Sequence, residues 1–305
     1  MKKWKKGLAM LLTAGILCTT GASAVFAGDL SGQTYISLGA DLNDAEMAET
    51  LSLLRISGEK MAESMVSTVT NEEEYAYLGN FLGAEQIGDR ALSSCVVQGK
   101  KEGHGITVET HNITYITPGM YENALVTAGV KDAQVVVAGP YEITGTAALV
   151  GVMKSYTVMT GEEISVENIE AATEELVTSG MLAEVIGDPE KVEQLIAAVK
   201  DAIISNNLTD PETIRQVIGE VSAELGITLT ENQIQWIINL MQKIATLDLD
   251  ATEISKQLSG IYDKIKNLDL SFLKSDSGNV LAKLGSFFTE MWSRISNWFN
   301  SMMGK

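Results

Sequence analysis

The residues of this chain that could bind a metal ion are a short cluster of two histidines and one glutamate. His104 and His111 are the only histidines, and Glu109 shares a face with His111 if the strand that holds both is regular. Imidazole and carboxylate groups are common zinc ligands. No HExxH motif or comparable spacing accompanies them. We therefore interpret these residues as the polar end of a hairpin, and we predict no metal and no other cofactor.

Two Ser-x-x-Lys pairs have a spacing that can support nucleophilic catalysis, because on a helix it places a lysine amine beside a serine hydroxyl. The pairs are Ser57–Lys60 and Ser271–Lys274. The first begins at a predicted helix end, and neither an S-D-N nor a K-T-G partner motif is present. We interpret both pairs as coincidental.

Three glycines, Gly139, Gly145 and Gly151, lie where a predicted strand passes into a helix. The N-terminus of such a helix can bind an anion through its free backbone N–H groups. The spacing does not match G-x-G-x-x-G, and no Walker lysine follows. We predict instead that the small residues allow the helix to pack closely against the sheet.

The first 27 residues predict export. Four lysines form a basic segment, an apolar stretch follows over residues 7–18, and Val25-Phe26-Ala27 fits a signal-peptidase site. Cleavage after Ala27 would leave 278 of the 305 residues and change the formal charge from −18 to −22, because the four lysines are lost. The predicted location is secreted or extracellular, with retention at the cell envelope left open.

The mature chain is strongly acidic and has a single cysteine. Its charge is expected to repel nucleic acid, so we predict no nucleic-acid partner. Cys95 cannot form an internal disulfide, and stability must come from packing. Val96 and Val97 follow it, which indicates a buried strand in which the thiol is an inert apolar group. No particular oligomeric state is indicated.

The elements that would position these groups are clearest between residues 105 and 161. The pattern predicts a strand over 106–117, a helix with Thr117 as N-cap and Pro118 in its first turn, a buried strand over 135–138, and a second helix. This alternation indicates an α/β unit. The apolar face of the first strand changes phase midway, which predicts a bulge near residues 110–112.

The residues before this unit are predicted to add further strands and capped helices. Strands are expected over 35–38 and 65–70, and Asn43 and Asn71 are the expected N-caps of the helices that follow them. Residues 90–97 and the strand that starts at Ile106 are expected to form an antiparallel hairpin, joined by the glycine-rich turn over 99–105.

After Gly161 the pattern becomes helical throughout. The predicted fold class is an α/β N-terminal domain, with a mixed sheet and flanking helices, plus an all-α C-terminal region. The predicted boundaries are a signal peptide over 1–27, the α/β domain over 33–160, the α-helical domain over 161–270, a linker over 271–279 and an amphipathic aromatic helix over 280–303.

The terminal helix is the strongest candidate for an interaction surface. Its apolar and aromatic residues follow one helical stripe, and its local charge is +2 on an acidic chain. Such a helix can lie on a membrane surface, pair with a protein partner or pack on its own domain. The predicted membrane- or partner-binding residues are Phe287, Phe288, Met291, Trp292, Ile295, Trp298 and Phe299.

An ordered set of short motifs carries a resemblance to a known family. Among them are Tyr77-Leu78-Gly79, Arg90-Ala91-Leu92-Ser93-Ser94, Tyr121-Glu122-Asn123-Ala124-Leu125 and Gly145-Thr146-Ala147-Ala148-Leu149. Over roughly residues 33–268 the chain resembles the YpuA-like family of secreted Firmicute proteins, a domain of unknown function. The resemblance implies export and supplies no catalytic residues.

Three hypotheses for function remain open at this point. The first is an exported, non-catalytic protein that binds a partner or surface at the cell envelope. The second is a hydrolase of an envelope polymer, with its site at the carboxyl ends of the strands around residues 139–146. The third is a membrane-perturbing protein that acts through the terminal helix.

Overall fold

A computed structural model of the chain describes residues 30–258 and residue 261. Five strands form a mixed sheet: β1 (Thr34–Gly39), β2 (Met65–Val69), β3 (Ser94–Gly99), β4 (Ile106–Ile113) and β5 (Ala133–Ile143). Their order across the sheet is β2-β1-β3-β5-β4. β1 and β2 are parallel, as are β4 and β5, whereas β3 is antiparallel to both of its neighbours.

The four strands other than β3 point in the same direction, so the sheet has two distinct edges. We call the edge at the carboxyl ends of β1, β2, β4 and β5 the carboxyl edge, and the opposite one the amino edge. The start of β3 lies at the carboxyl edge, and its end lies at the amino edge.

The predicted hairpin between residues 90–97 and the strand that starts at Ile106 is wrong. β3 and β4 run in opposite directions but do not pair, because β5 lies between them and pairs with both. Val135 and Val137 of β5 are fully buried, and a strand with such a continuous apolar run is most stable in the middle of a sheet. The turn over 99–105 therefore crosses the start of β5 at the amino edge.

The predicted bulge is confirmed. His111 pairs with Ala138, but Ile113 pairs with Ile143, so the register shifts between them. Asn112 has a φ of 56°, a left-handed conformation that asparagine tolerates better than most residues, and its side-chain amide donates to the Gly139 carbonyl oxygen at 3.1 Å. The apolar face of β4 changes phase at this register shift, where Asn112 takes the left-handed conformation.

Four short helices lie between β1 and β3: α1 (Asp44–Leu53), α2 (Gly58–Glu63), α3 (Asn71–Leu78) and α4 (Ala84–Ile87). The predicted capping box of Asn43 and Glu46 is confirmed. Two boundaries differ from the prediction. Ser57, which was expected at the end of a helix, instead caps the start of α2 through its hydroxyl. Thr70 rather than Asn71 caps α3, because the helix begins one residue earlier than predicted.

Two helices then flank β5: α5 (Pro118–Ala128) and α6 (Thr146–Thr160). Thr117 caps α5 and Pro118 opens it, as predicted. α6 crosses one face of the sheet, where a Cβ on Gly151 would lie 2.7 Å from the Ser37 hydroxyl oxygen. This close approach confirms that the glycine serves packing. α1 covers the opposite face through a small apolar cluster around Ile36 and Ala138.

The rest of the described chain is helical: α7 (Val166–Ile186), α8 (Pro189–Ser205), α9 (Pro211–Glu224), α10 (Glu231–Ile244) and α11 (Ala251–Gln257). The predicted mixed sheet with flanking helices is thus confirmed. One apolar core extends from the sheet into these helices without a break at residue 161, for example from Leu125 through Leu176 to Ile196. The predicted domain boundaries and linker stay predictions, and residues 262–305 lie outside the described part. Within that part, no helix is both long and apolar enough to span a membrane.

Candidate functional site

A small polar cleft opens at the carboxyl edge of the sheet. Its volume is about 220 Å³, and it is lined by Glu74, residues 85–90, Leu92, Ser93, Tyr141 and residues 143–146. We call it the edge cleft. The carboxyl edge is where open α/β sheets commonly bind ligands. Typical small-molecule pockets are roughly 300–1,000 Å³, so this cleft fits one ring or the end of a chain.

Glu74, in the first turn of α3, is the most unusual group of the edge cleft. Its side chain is buried, and burial raises the pKa of its carboxyl from 4.5 to about 7. The Thr146 hydroxyl donates to one carboxyl oxygen at 2.7 Å, and the Asn71 amide donates to the other at 3.3 Å. A carboxyl with a pKa near neutrality can gain or lose a proton at physiological pH.

Arg90 forms the rim of the edge cleft together with Tyr141. Its guanidinium makes two hydrogen bonds to the Glu46 carboxylate, at 2.6 and 3.1 Å, and a third to the Asp41 carbonyl oxygen at 2.7 Å. The Arg90 guanidinium lowers the pKa of Glu46. Nη1 of Arg90 also lies 3.4 Å from the hydroxyl of Tyr141, whose side chain is 48% exposed. The charge of Arg90 is thus largely balanced, while the Tyr141 ring is free to contact a ligand.

The hydroxyl groups of the edge cleft are engaged within the protein. Ser93 accepts the N–H of Ala148 at 2.9 Å and thereby satisfies one free N–H in the first turn of α6. Behind the cleft, the buried Tyr121 hydroxyl donates to the Gly145 carbonyl oxygen at 2.6 Å. Thr146 donates to Glu74, which is the one hydroxyl–carboxyl pair here with the geometry of a nucleophile and its base.

The predicted histidine cluster is assembled only in part. Nε2 of His111 lies 3.0 Å from Oε1 of Glu109, so the two residues do share a face. Both Glu109 oxygens also accept hydrogen bonds from Arg55, at 2.6 and 3.2 Å. The Glu109 carboxylate is thus paired with the Arg55 guanidinium. Among residues 30–258 and 261, no three His, Cys, Asp or Glu side chains are grouped to hold a metal ion.

The remaining candidates have structural roles. Cys95 is fully buried in β3, and burial raises the pKa of its thiol to about 12, which confirms an inert apolar role. The Ser57 hydroxyl accepts the backbone N–H of Lys60 as a helix cap. Ser271–Lys274 and the predicted binding residues between Phe287 and Phe299 lie outside the described residues.

Sequence reasoning missed two buried polar networks. Lys200 of α8 and Glu175 of α7 form a fully buried ion pair of 2.7 Å. Glu193 of α8 accepts a very short hydrogen bond from the Thr117 hydroxyl, and the Glu193 carbonyl oxygen accepts from the Asn123 amide at 3.0 Å. Both networks fasten α5 to the helical layer. Lys200 directly follows the apolar run Leu195-Ile196-Ala197-Ala198-Val199, which was a usable signal in the sequence.

The fold and the edge cleft define an α/β protein with a helical layer and a small polar site at the carboxyl edge of a mixed sheet. Residues 38–261 match the profile of the family described as "Protein of unknown function (DUF1002)". The chain is 37% identical over 291 residues to "Uncharacterized protein YpuA" of Bacillus subtilis (strain 168), which covers 95% of this chain and 97% of that protein. No solved structure matches significantly. The chain belongs to the DUF1002 family.

Proposed function

We propose that the chain is an exported protein of the cell envelope that acts by binding a partner or a surface rather than by catalysis. The edge cleft is the observation that carries this proposal. It presents a half-exposed tyrosine ring and a protonatable carboxyl, while the nearby Ser93 hydroxyl accepts a backbone N–H instead of pairing with a base. Such a set of side chains suits the recognition of a ligand through ring stacking and hydrogen bonds.

Two sequence features support the proposed location. The basic and apolar pattern of residues 1–27 is typical of a secretory signal. The aromatic stripe over 280–303 can hold the exported chain against a membrane or protein surface. In this proposal the edge cleft acts outside the cytoplasm.

Fractionation of cells that express the full chain or a truncation after Gly278 tests the proposal. The full chain should sediment with the envelope, and the truncated chain should be released to the soluble fraction while keeping the cooperative thermal unfolding of a folded protein. A matched control, Val185→Ala at an exposed position of α7, should sediment like the full chain. Envelope retention of the folded truncation would eliminate the terminal stretch as the attachment surface.

One observation favours a second candidate, a hydrolase of an envelope polymer. The hydrogen bond from Thr146 to Glu74 lies at the carboxyl edge within the edge cleft and could activate the hydroxyl as a nucleophile. Thr146→Val removes that hydroxyl at nearly constant volume. If the wild-type chain releases soluble fragments from purified envelopes and the variant does not, the hydrolase replaces the binding protein as the function.

A further inference from the structure

Most cations of the described residues are already paired with a carboxylate. Seven of them have a side-chain nitrogen within 4.0 Å of a carboxylate oxygen. They are Arg55, Arg90, Lys154, Lys191, Lys200, Arg215 and Lys243. In a chain with a formal charge of −18, a carboxylate is rarely far from a cation. A lysine without such a partner is therefore the exception.

Three of the exceptions line one groove at the amino edge. The groove consists of two adjoining hollows of about 390 and 360 Å³, which share residues 32–34 at the start of β1. Lys100 and Lys101 line the first hollow and Lys60 lines the second. Within the described part of the chain none of these lysines has an ion-pair partner, although the Lys100 amine lies 3.2 Å from the Gln98 side-chain oxygen. We call this site the amino-edge groove.

The lysines lie on opposite sides of the first residues of β1. Tyr35 pairs with Met65 of β2 on one side, next to α2 with Lys60, and with Val97 of β3 on the other, next to Lys100. Neighbouring strands are about 4.8 Å apart, so the groove crosses three strands over roughly 10 Å. The lysines are thus spread along the groove, which suits a chain of anionic groups better than a single small ion.

The groove is also poor in negative charge. Glu63 is the one carboxylate among its described lining residues. Lysine ammonium groups act as strongly hydrated point charges and are common binders of phosphate. Repeated positive charges along a groove raise the local concentration of a polyanion even on an acidic protein.

We propose that the amino-edge groove binds a phosphate-linked polymer, whose successive phosphate groups can contact the lysines on both sides of β1. This inference names the chemistry of one partner of the proposed binding function. It requires neither export nor the edge cleft, so phosphate binding by the purified chain can succeed while envelope localisation fails, and the reverse.

The test measures binding of the purified mature chain to long-chain inorganic polyphosphate by titration calorimetry, at low salt and at about 150 mM NaCl. The variant K60Q/K100Q/K101Q should bind about tenfold or more weakly. The matched control is K131Q, because Lys131 also lacks an ion-pair partner in the described residues but lies outside the groove. This control should bind like the wild type, and added salt should weaken binding by the wild type.

Sedimentation with phosphatidylglycerol vesicles distinguishes the source of the phosphate. Polyphosphate binding that the triple variant loses supports the proposal, whereas binding to the vesicles without binding to polyphosphate would overturn it in favour of a lipid headgroup. The proposal is also overturned if the wild type binds neither probe, if the triple variant binds polyphosphate as tightly as the wild type, or if K131Q weakens binding equally. Equal affinity for poly-L-glutamate would overturn the choice of phosphate over carboxylate.

Discussion

The Lys200 ammonium donates all three of its hydrogens inside the protein, and its ionic partner is the Glu175 carboxylate at 2.7 Å. The other two acceptors are the Asn123 carbonyl oxygen at 2.8 Å and the Thr127 hydroxyl at 3.0 Å. Thr127 in turn donates a very short hydrogen bond to Glu175. Burial raises the pKa of Glu175 and lowers that of Lys200, and the attraction between the two charges opposes both shifts. α5, α7 and α8 therefore meet at one satisfied polar centre.

Lys200→Met should destabilise the fold strongly, because it leaves the Glu175 carboxyl buried without its cation. We expect a loss of about 3–5 kcal/mol in the free energy of urea unfolding. Arg215→Gln removes one partner of the exposed pair with Glu231 and should cost less than about 1 kcal/mol. A loss for Lys200→Met no larger than that of this control would mean that the centre contributes little.

The Glu74 carboxyl should make stability depend on pH. Its pKa is about 7 in the folded chain, whereas an ordinary glutamate, as in the unfolded chain, has a pKa of 4.5. The folded chain therefore binds this proton more tightly than the unfolded chain. Its contribution to the free energy of unfolding is complete below about pH 4.5 and is lost as the pH rises through about 7. The loss amounts to roughly 3 kcal/mol. Glu220, with a pKa also raised to about 7 by burial, acts in the same direction.

Glu74→Gln should remove one of these two contributions, and Glu220→Gln should remove the other. The free energy of unfolding, measured in urea at about pH 5 and about pH 7.5, should fall less with pH in each variant than in the wild type. If Glu74→Gln loses as much stability across this window as the wild type, the carboxyl does not titrate as described.

The parts of the fold that could be predicted are those that residues close together in the sequence encode. Asn43 with Glu46, Thr117 with Pro118, and the phase change near Asn112 each encode a cap or bulge within a few residues, and each is confirmed. The pairing of β3 was not predictable in this way, because its neighbour β5 arrives after a helix and nothing near Cys95 specifies it. The order of strands depends on which strand buries the most apolar surface when it lies at the centre of the sheet.

Only the location of the edge cleft, and not its side chains, could be predicted from the sequence. The carboxyl ends of the strands indicated residues 139–146, and Tyr141 and Thr146 do line it. Glu74 was hidden in the run of Glu72, Glu73 and Glu74, which is typical of a solvated first turn near a helix dipole. Only the tertiary fold brings Thr146 over it and excludes water.

Gly151→Ala and Gly219→Ala should change stability in opposite directions. An added Cβ at Gly151 meets the Ser37 hydroxyl oxygen at 2.7 Å and the Cys95 sulfur at 3.3 Å, which should cost about 1–3 kcal/mol. Gly219 lies within α9 with nothing near its Cβ position, so alanine there should stabilise by about 0.5–1 kcal/mol. Thermal unfolding measures both. A neutral Gly151→Ala would show that α6 does not pack on the sheet as closely as described.

Thr146→Val should raise the pKa of Glu74 further, because the hydrogen bond from the Thr146 hydroxyl favours the charged carboxylate. Carbon-detected NMR titration of the glutamate carboxyl groups measures this pKa directly. Thr160→Val makes the same chemical change at the far end of α6 and should leave the Glu74 pKa unchanged. A lower Glu74 pKa in Thr146→Val would contradict the assigned hydrogen bond.

The most direct test of a binding rather than a catalytic role is incubation of the purified mature chain with isolated cell envelopes. The amount of protein retained and the amount of soluble envelope fragments released are quantified in the same sample. We expect saturable retention of the protein and no more released material than with heat-denatured protein. Release of fragments that grows with time, from envelopes that retain no protein, would contradict the proposed function.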